Sequence, residues 1–567
     1  DRDTVDFVFR DNAEHPPLGR WLLGIASTLG QPFEEALWGS PDPVRYYVVS
    51  GRLAPALIFG AMVWLVSATS GNRYGRAAGL VAGLSLAIMP RVFAHAHLAA
   101  LDTFIAFFWT LALLSSVRAM DGKRPVFGMT CAGVFFGLAL LTKIHAWFLP
   151  PIVLVWALIR WKPLKALVAW TCWVTVGLLT FFGGWPWLWY DPVGRLRAYL
   201  GTGVERVSIQ VLYFGQVYAD RDVPWHYPWF YFVATVPVGL LAVGAWGLVR
   251  SWADRRSDKL PFLLAGTIGF FLILFSSKIP VYDGERLFLV VFPLLAILIG
   301  RGFADLWERA GRRWRVGLIA LMLGQGYGVV MLHPFGLSYY NLLVGGLPGA
   351  EKLGLELTYW GDAVNAPLLD ELARQASRGE TAALAPTLAP EQGKIVTTRR
   401  LVAIPLVLRD QDFAARADWL VVSRRSAYWT PEVRQRIAND PMIARQTRQG
   451  VWLSALIGPP KMKIPLAERR TVSIIRSERI ETWSEGDERV HAFRLRRGEP
   501  DGGRLGQGDD HPDGSGQWSG PAGPVDSGLD PGASGGEGGR VRRGQAGGDH
   551  GRQADGRLDP ALPHSGD

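Results

Sequence analysis

What most constrains this chain is a succession of apolar runs long enough to cross a lipid bilayer. They lie near residues 52–70, 77–94, 99–117, 125–142, 146–160, 165–183, 229–249, 260–277, 287–300 and 315–332. A hydrocarbon core needs about 20 apolar residues per helical crossing, so these runs read as about ten spans, of which 146–160 and 287–300 are short and draw on their flanks. With no water to satisfy the backbone there, each run has to close its own hydrogen bonds as a helix. The expected fold is an all-α polytopic membrane bundle.

Charge then orients the bundle. The net charge of +10 is concentrated in alternate connectors between apolar runs. One set carries Arg73 and Arg76; Arg118, Lys123 and Arg124; Arg160, Lys162 and Lys165; Arg250, Arg255, Arg256 and Lys259; and Arg301, Arg309, Arg312, Arg313 and Arg315. The intervening short connectors hold only Arg91, Lys143, and the pair Lys278 and Arg286. By the positive-inside rule the first set is cytoplasmic, facing anionic headgroups, and no nucleic-acid partner is needed to explain the charge. Residues 1–51, the turn before Asp102, the loop 184–228, the segment 278–286 and everything after about 333 then share the outer face. Cys131 and Cys172, the only cysteines, both sit inside apolar runs and read as packing residues.

Four domains are expected. Residues 1–51 form an outer loop with an interfacial helix, in a chain whose polar, methionine-free start points to a missing N-terminal piece with a first membrane helix. Residues 52–333 form the transmembrane domain. Residues 334–497 read as a small extracytoplasmic α/β domain, with strand-like runs at 396–408, 418–423 and 451–457. A helix there starts at Thr430 with Pro431 in its first turn. Residues 498–567 are rich in Gly, Asp, Arg and Pro with Trp518 as sole aromatic, a composition expected to stay disordered.

Three outer segments carry candidate chemistry, and each has a plainer reading. Glu14-His15-Pro16-Pro17-Leu18-Gly19-Arg20 opens an amphipathic stretch. It is either an interfacial helix with ordinary caps or an acid, an imidazole and a guanidinium placed where a lipid phosphate would lie. Asp102, in His95-Ala96-His97-Leu98-Ala99-Ala100-Leu101-Asp102, stands at the mouth of a span. It is either an N-cap or a functional carboxylate, because a charge at such a position is costly unless it faces protein or water. Lys278-Ile279-Pro280-Val281-Tyr282-Asp283-Gly284-Glu285-Arg286 offers Lys, Tyr and Arg donors to a phosphate, or simple anchors at a helix end. The aromatic run Trp185 to Tyr190 reads as an interfacial belt, and Tyr359-Trp360-Gly361-Asp362 marks the junction to the outer domain.

These segments resemble a known group. His15-Pro16-Pro17-Leu18-Gly19-Arg20 looks like the HPPLGK segment of protein O-mannosyltransferases, glycosyltransferase family 39, and Ala100 to Phe108 (ALDTFIAFF) looks like their second outer-loop motif. Lys278 to Tyr282 (KIPVY) is similar to a segment of the aminoarabinose transferases that modify lipid A. The resemblance spans roughly residues 10–340. It implies a bundle of the GT-C type, a polyprenyl-phosphate sugar donor, an acceptor hydroxyl and inversion at the anomeric carbon. It also implies a first-loop carboxylate, usually an Asp-Glu pair, several tens of residues before HPPLG. Only fourteen residues precede it here, so that carboxylate is expected upstream of Asp1.

The functional expectation is a glycosyltransferase working at the outer face of the cell membrane. Asp102 is its catalytic candidate. His15, Arg20, Lys278, Tyr282 and Arg286 are candidates for the donor phosphate, and Glu14 and His97 for substrate. Expected partners are the polyprenyl-phosphate sugar, membrane lipids, and an acceptor that is a protein, lipid or glycan. No cofactor is called for with certainty, and a divalent metal is possible. The alternative is a multispanning transporter or lipid flippase, but such proteins put coupling residues near the midplane and often show repeated halves, neither of which is visible.

Overall fold

The computed structural model describes residues 2–9, 15–38, 48–202, 208–377, 379–386, 406–407 and 417–459. All of these lie in one compact unit, Asp1–Ile480; a second unit, Glu481–Asp567, falls outside the described residues, and with it the expected disordered tail.

The elements follow the apolar runs closely. After α1 (Arg2–Phe9) and α2 (Leu18–Trp38) come α3 (Val48–Tyr74), α4 (Arg76–Ala87), α5 (Pro90–His95), α6 (Asp102–Met120), α7 (Pro125–Leu140), α8 (Leu149–Arg160) and α9 (Pro163–Gly183). The loop beyond folds into α10 (Pro192–Thr202) and a hairpin of β1 (Gln210–Tyr213) and β2 (Gln216–Ala219). Then follow α11 (Tyr227–Ala234), α12 (Val238–Ser251), α13 (Leu260–Phe275), α14 (Val291–Arg309), α15 (Arg312–Gly324) and α16 (Tyr327–Leu332).

Every apolar run is helical, yet only four described helices are by themselves long and apolar enough to cross a membrane: α3, α6, α9 and the continuous stretch Arg312–Leu332. The pair α11 and α12 counts as a fifth span only as a bent one, turning through 108° where Pro237, which donates no N–H, immediately precedes the second helix. The run at 77–94 likewise breaks into α4 and α5 at Pro90. The short run at 287–300 is a different case. It is the central helix, α14, in which Val291 to Gly300 are all buried, so it packs against other helices and not against lipid. Gly247 and Gly302 permit its close approach to α12: a Cβ on Gly302 would stand 2.1 Å from the Val243 carbonyl oxygen, and one on Gly247 would stand 2.2 Å from that of Leu298. Small residues at such crossings let two backbones meet.

On α2, Trp21, Ile25, Leu29, Phe33 and Leu37 are exposed at a four-residue spacing, while Leu22, Leu23 and Ala26 pack on the core. A helix apolar on its outward side suits a membrane interface. The basic connectors converge at one end of the bundle, where Arg73 meets Asp258 at 2.7 Å, Arg160 pairs with Asp121, and Arg301 meets Asp254 at 2.7 Å. These sequence-distant pairings agree with the alternation of connectors read from charge.

Beyond α16 lie α17 (Gly346–Lys352), α18 (Ala366–Gln375), β3 (Ala382–Ala385), β4 (Leu406–Val407), β5 (Trp419–Ser423), α19 (Pro431–Asn439), β6 (Met442–Arg448) and β7 (Val451–Ile457). The strands form a mixed sheet in the order β4-β3-β5-β7-β6, with β3 parallel to β4 and β5 and the rest antiparallel. Alternating side chains serve its two faces: Leu384, Trp419, Val421 and Leu456 pack with Leu368 and Leu372 of α18, whereas Leu420, Val422, Ala455 and Ile457 pack with Val433 of α19. Thr430 caps α19, its hydroxyl accepting the Val433 N–H, with Pro431 following. Of the strand expected at 396–408, only β4 lies within the described residues.

Candidate active site

The segment between α13 and α14 decides the site. Its backbone is pinned where the Val281 N–H donates to the Asp220 carbonyl and the Gly284 N–H to the Tyr227 hydroxyl, both at 2.9 Å. Asp283 and Gly284 take the left-handed conformation, with φ 58° and 69°. Asp tolerates that region, and at Gly284 a Cβ would meet the Arg91 guanidinium at 2.7 Å. This turn aims three successive charged side chains, Asp283, Glu285 and Arg286, into the protein.

Arg286 reaches the mouth of α6. Its Nε donates to Asp102 Oδ2 at 3.1 Å, and the other Asp102 oxygen accepts from Lys143 Nζ at 2.6 Å. Lys143 lies just after α7, so the carboxylate at the start of one helix is held by cations from two connectors. Arg286 also donates through Nη1 to Asp283 Oδ2 at 3.1 Å, and its guanidinium lies 4.1 Å from the Trp360 ring centroid and 5.4 Å from that of Tyr282. Asp283 Oδ1 accepts from Arg425 Nη2 at 2.7 Å, which brings in the sheet domain.

A second pair lies alongside. Arg91 Nη1 donates to Glu285 Oε2 at 2.9 Å, His95 Nε2 stands 3.5 Å from Oε1, and the Arg91 guanidinium faces the rings of Tyr340, Tyr359 and Tyr231. Arg91, Glu285 and His95 are all buried. A buried pair of this kind holds only while both partners are present.

Burial works against charge throughout this region, and the neighbours decide the outcome. It would disfavour the Arg286 cation, but Asp102 and Asp283 outweigh it and keep the guanidinium above its ordinary value. Glu285 is likewise disfavoured as an anion by burial, yet the Arg91 guanidinium holds it below the usual carboxylate range. Two carboxyls beyond α16 go the other way. Burial pushes Glu356 up to about 8 despite Arg425, and it pushes Asp362, both of whose oxygens lack a hydrogen-bond partner, up to about 7.

The structure joins Asp102, Arg286 and Tyr282 into one cluster and leaves other candidates apart. Asp102 is the first residue of α6, and both its oxygens are taken by cations, so the N-cap reading does not describe it. His15 and Arg20 pair with each other: Arg20 donates to the His15 carbonyl at 2.9 Å and lies over Phe9. Their segment nonetheless packs at the mouth of α6, where Gly19 abuts Leu101 and the Leu18 N–H donates to the Leu141 carbonyl. Lys278 points to solvent, its side chain 83% exposed and paired with Asp222, because the Lys278 end of the segment precedes the inward turn. His97 is exposed and bonds the Phe93 carbonyl one helical turn back, away from the Asp102 ion pairs. Glu14 lies outside the described residues. No three His, Cys, Asp or Glu side chains converge as a metal site among the described residues.

The sequence reading missed Lys143, Asp283, Glu285, Trp360 and Arg425 as members. Lys143 did carry a signal, as a lone cation closing an apolar run in a connector otherwise poor in charge. Arg425 carried none, because only the tertiary fold returns the sheet to the bundle.

Comparison with known proteins bears on part of this cluster. No curated protein matches the chain. Among solved structures, ArnT from Cupriavidus metallidurans in the apo state is similar at 16% identity over 78% of this chain and 87% of that one, with a TM-score of 0.45. ArnT bound to undecaprenyl phosphate gives 15%, 80%, 89% and 0.43. The Archaeoglobus fulgidus oligosaccharyltransferase in complex with Zn and sulfate gives 12%, 78%, 64% and 0.36. Residues 45–187 match the family described as dolichyl-phosphate-mannose-protein mannosyltransferase. The stretch that supplies Asp102 and Lys143 therefore resembles the family to which the HPPLGR and ALDTFIAFF segments pointed.

Proposed function

We propose that this protein is a membrane glycosyltransferase that moves a sugar from a polyprenyl-phosphate carrier to an acceptor hydroxyl at the extracytoplasmic face, with inversion at the anomeric carbon. The observation that carries the reading is the Asp102 carboxylate held between Lys143 and Arg286 at the mouth of a membrane helix. The mannosyltransferase-like match over residues 45–187 supports it, and the charge alternation of the connectors supports the sidedness.

The chemistry needs two services. As the acceptor oxygen bonds to the anomeric carbon, the bond from that carbon to the phosphate oxygen breaks, and its electron pair leaves with the phosphate. Cations fixed beforehand stabilise that growing charge without a general acid. Lys143 and Arg286 are placed for this, and Trp360 and Tyr282 steady the Arg286 guanidinium. The acceptor's proton goes to a carboxylate. Asp102 holds the two cations in the resting site; once the phosphate takes them over, its carboxylate is free to receive that proton.

The test is transfer of a labelled sugar from a polyprenyl-phosphate donor by the purified chain in nanodiscs, with protein, lipid and glycan acceptors in parallel. Asp102→Asn should abolish transfer and also lower the melting temperature, because Lys143 and Arg286 lose a buried counter-ion; transfer is therefore measured below the variant's own melting transition, where it is folded. Wild-type turnover in Asp102→Asn would overturn the assignment. Reporters fused after residue 340 test the sidedness: cytoplasmic reporter activity there would reject it.

A further inference from the structure

Arg425 belongs to the sheet domain, yet its side chain is directed away from that domain's core. It follows Arg424, and the two diverge: Arg424 donates to Glu351 at 2.6 Å and lies over Trp452, whereas Arg425 reaches Asp283. The loop that carries it is fixed from three sides. Glu356 accepts the Ser426 and Ala427 N–H groups, the Tyr428 hydroxyl accepts the Gln210 N–H of the hairpin at 3.2 Å, and the Arg425 guanidinium lies between the Tyr428 and Tyr359 rings at 5.1 and 5.8 Å.

Asp283 thus bridges two guanidinia. Oδ1 takes Arg425 and Oδ2 takes Arg286, both arginine side chains being largely buried and Asp283 6% exposed. Lys143, Arg286 and Arg425 bring three positive charges and Asp102 and Asp283 two negative ones, so the cluster retains one excess positive charge. Two converging guanidinia on the two oxygens of one carboxylate form a cradle that a tetrahedral phosphate can also occupy, since each guanidinium can give two parallel donors to an oxyanion.

We infer that Arg425 is the second guanidinium of the donor-phosphate site, and that Asp283 occupies the place of the phosphate between Arg286 and Arg425 when no donor is bound. The sheet domain is then part of the binding site, and the hairpin and the 356–362 segment position its arginine. This inference rests on the polyprenyl-phosphate reading above. The ligand class is a phosphate monoester or diester on a lipid.

The experiment is binding of a short-chain polyprenyl phosphate to the full chain in nanodiscs, with inorganic phosphate as a second probe. Arg425→Gln should weaken lipid-phosphate binding about tenfold or more, with Arg425→Lys intermediate. Arg424→Gln should leave it unchanged. Asp283→Asn should strengthen binding, because it removes the competing anion; a role for Asp283 as a mere structural tie predicts weaker or equal binding. Arg425→Lys and Asp283→Asn keep the test decisive if Arg425→Gln fails to fold. Wild-type affinity in Arg425→Lys, together with loss in Arg286→Gln, would overturn the inference and leave the phosphate reading standing. No binding by the wild type, or no effect of Arg286→Gln, would remove that reading and the inference with it. Equal binding of inorganic phosphate would show that the cradle recognises the headgroup alone, as inferred; a strict need for the lipid tail with no effect of Arg425 would count against it.

Discussion

Asp362 should make the protein progressively less stable as pH rises towards neutrality, and Asp362→Asn should remove that dependence. The carboxyl is buried without a hydrogen-bond partner, and burial lifts it to about 7, whereas an unfolded Asp titrates near 4. Below about pH 4 it is protonated in both states and contributes no pH dependence. Between about 4 and 7 the unfolded chain has lost the proton and the folded one keeps it, so stability falls by about 1.4 kcal/mol per pH unit. Above about 7 both are ionised, and the full penalty of roughly 4 kcal/mol is in place. Asn is nearly isosteric and does not titrate. Its own unsatisfied amide costs about 1–3 kcal/mol at every pH, which shifts the intercept and not the slope. The apparent melting temperature of both proteins, measured in the same detergent and at one scan rate from pH 5 to 8.5, gives the difference directly. The variant should gain on the wild type steadily up to about pH 7 and then level off. Parallel curves across that range would refute the reasoning, because they would mean that Asp362 is solvated or paired in the folded protein.

Other perturbations follow from the same geometry. Glu285→Gln leaves Arg91 buried without its counter-ion and should cost about 3–5 kcal/mol, seen as a lower apparent melting temperature; unchanged melting would show that the site is hydrated. Gly302→Ala drives a methyl against the Val243 carbonyl and should cost about 1–3 kcal/mol by forcing α14 from α12, again read by melting. Arg286→Gln should lower turnover by about 100-fold or more with a smaller change in apparent donor affinity, because its charge matters most as the phosphate leaves. Arg286→Lys should fall between, since an ammonium cannot reproduce the fork that joins Asp102 and Asp283; full activity in Arg286→Lys would mean that only charge is needed.

The outline of the bundle was legible because hydrophobic length and loop charge are local properties. Each apolar run became a helix, and the connectors that alternate in charge met at one end. The cap at Thr430 and the strands at 419–423 and 451–457 were equally local, fixed by side-chain chemistry within a few residues. Asp102 and Arg286 could be singled out because charge at a membrane mouth is rare enough to signal a purpose. What each charge meets could not be read in that way. The helical period does not say that 291–300 is the buried centre of the bundle, since a core helix and a lipid-facing one are equally apolar. Nor does it say that Lys278 faces water while Arg286, eight residues on, turns inward, because that depends on a left-handed turn closed by Tyr227 and Asp220. The partners of Asp102, 41 and 184 residues away, and the arrival of Arg425 142 residues after Asp283, are long-range contacts. The sequence alone determined a helical membrane bundle with its candidate chemistry at one end. Only the tertiary structure decided which charges share a site, because ion pairs form between side chains that packing brings together, whatever their separation along the chain.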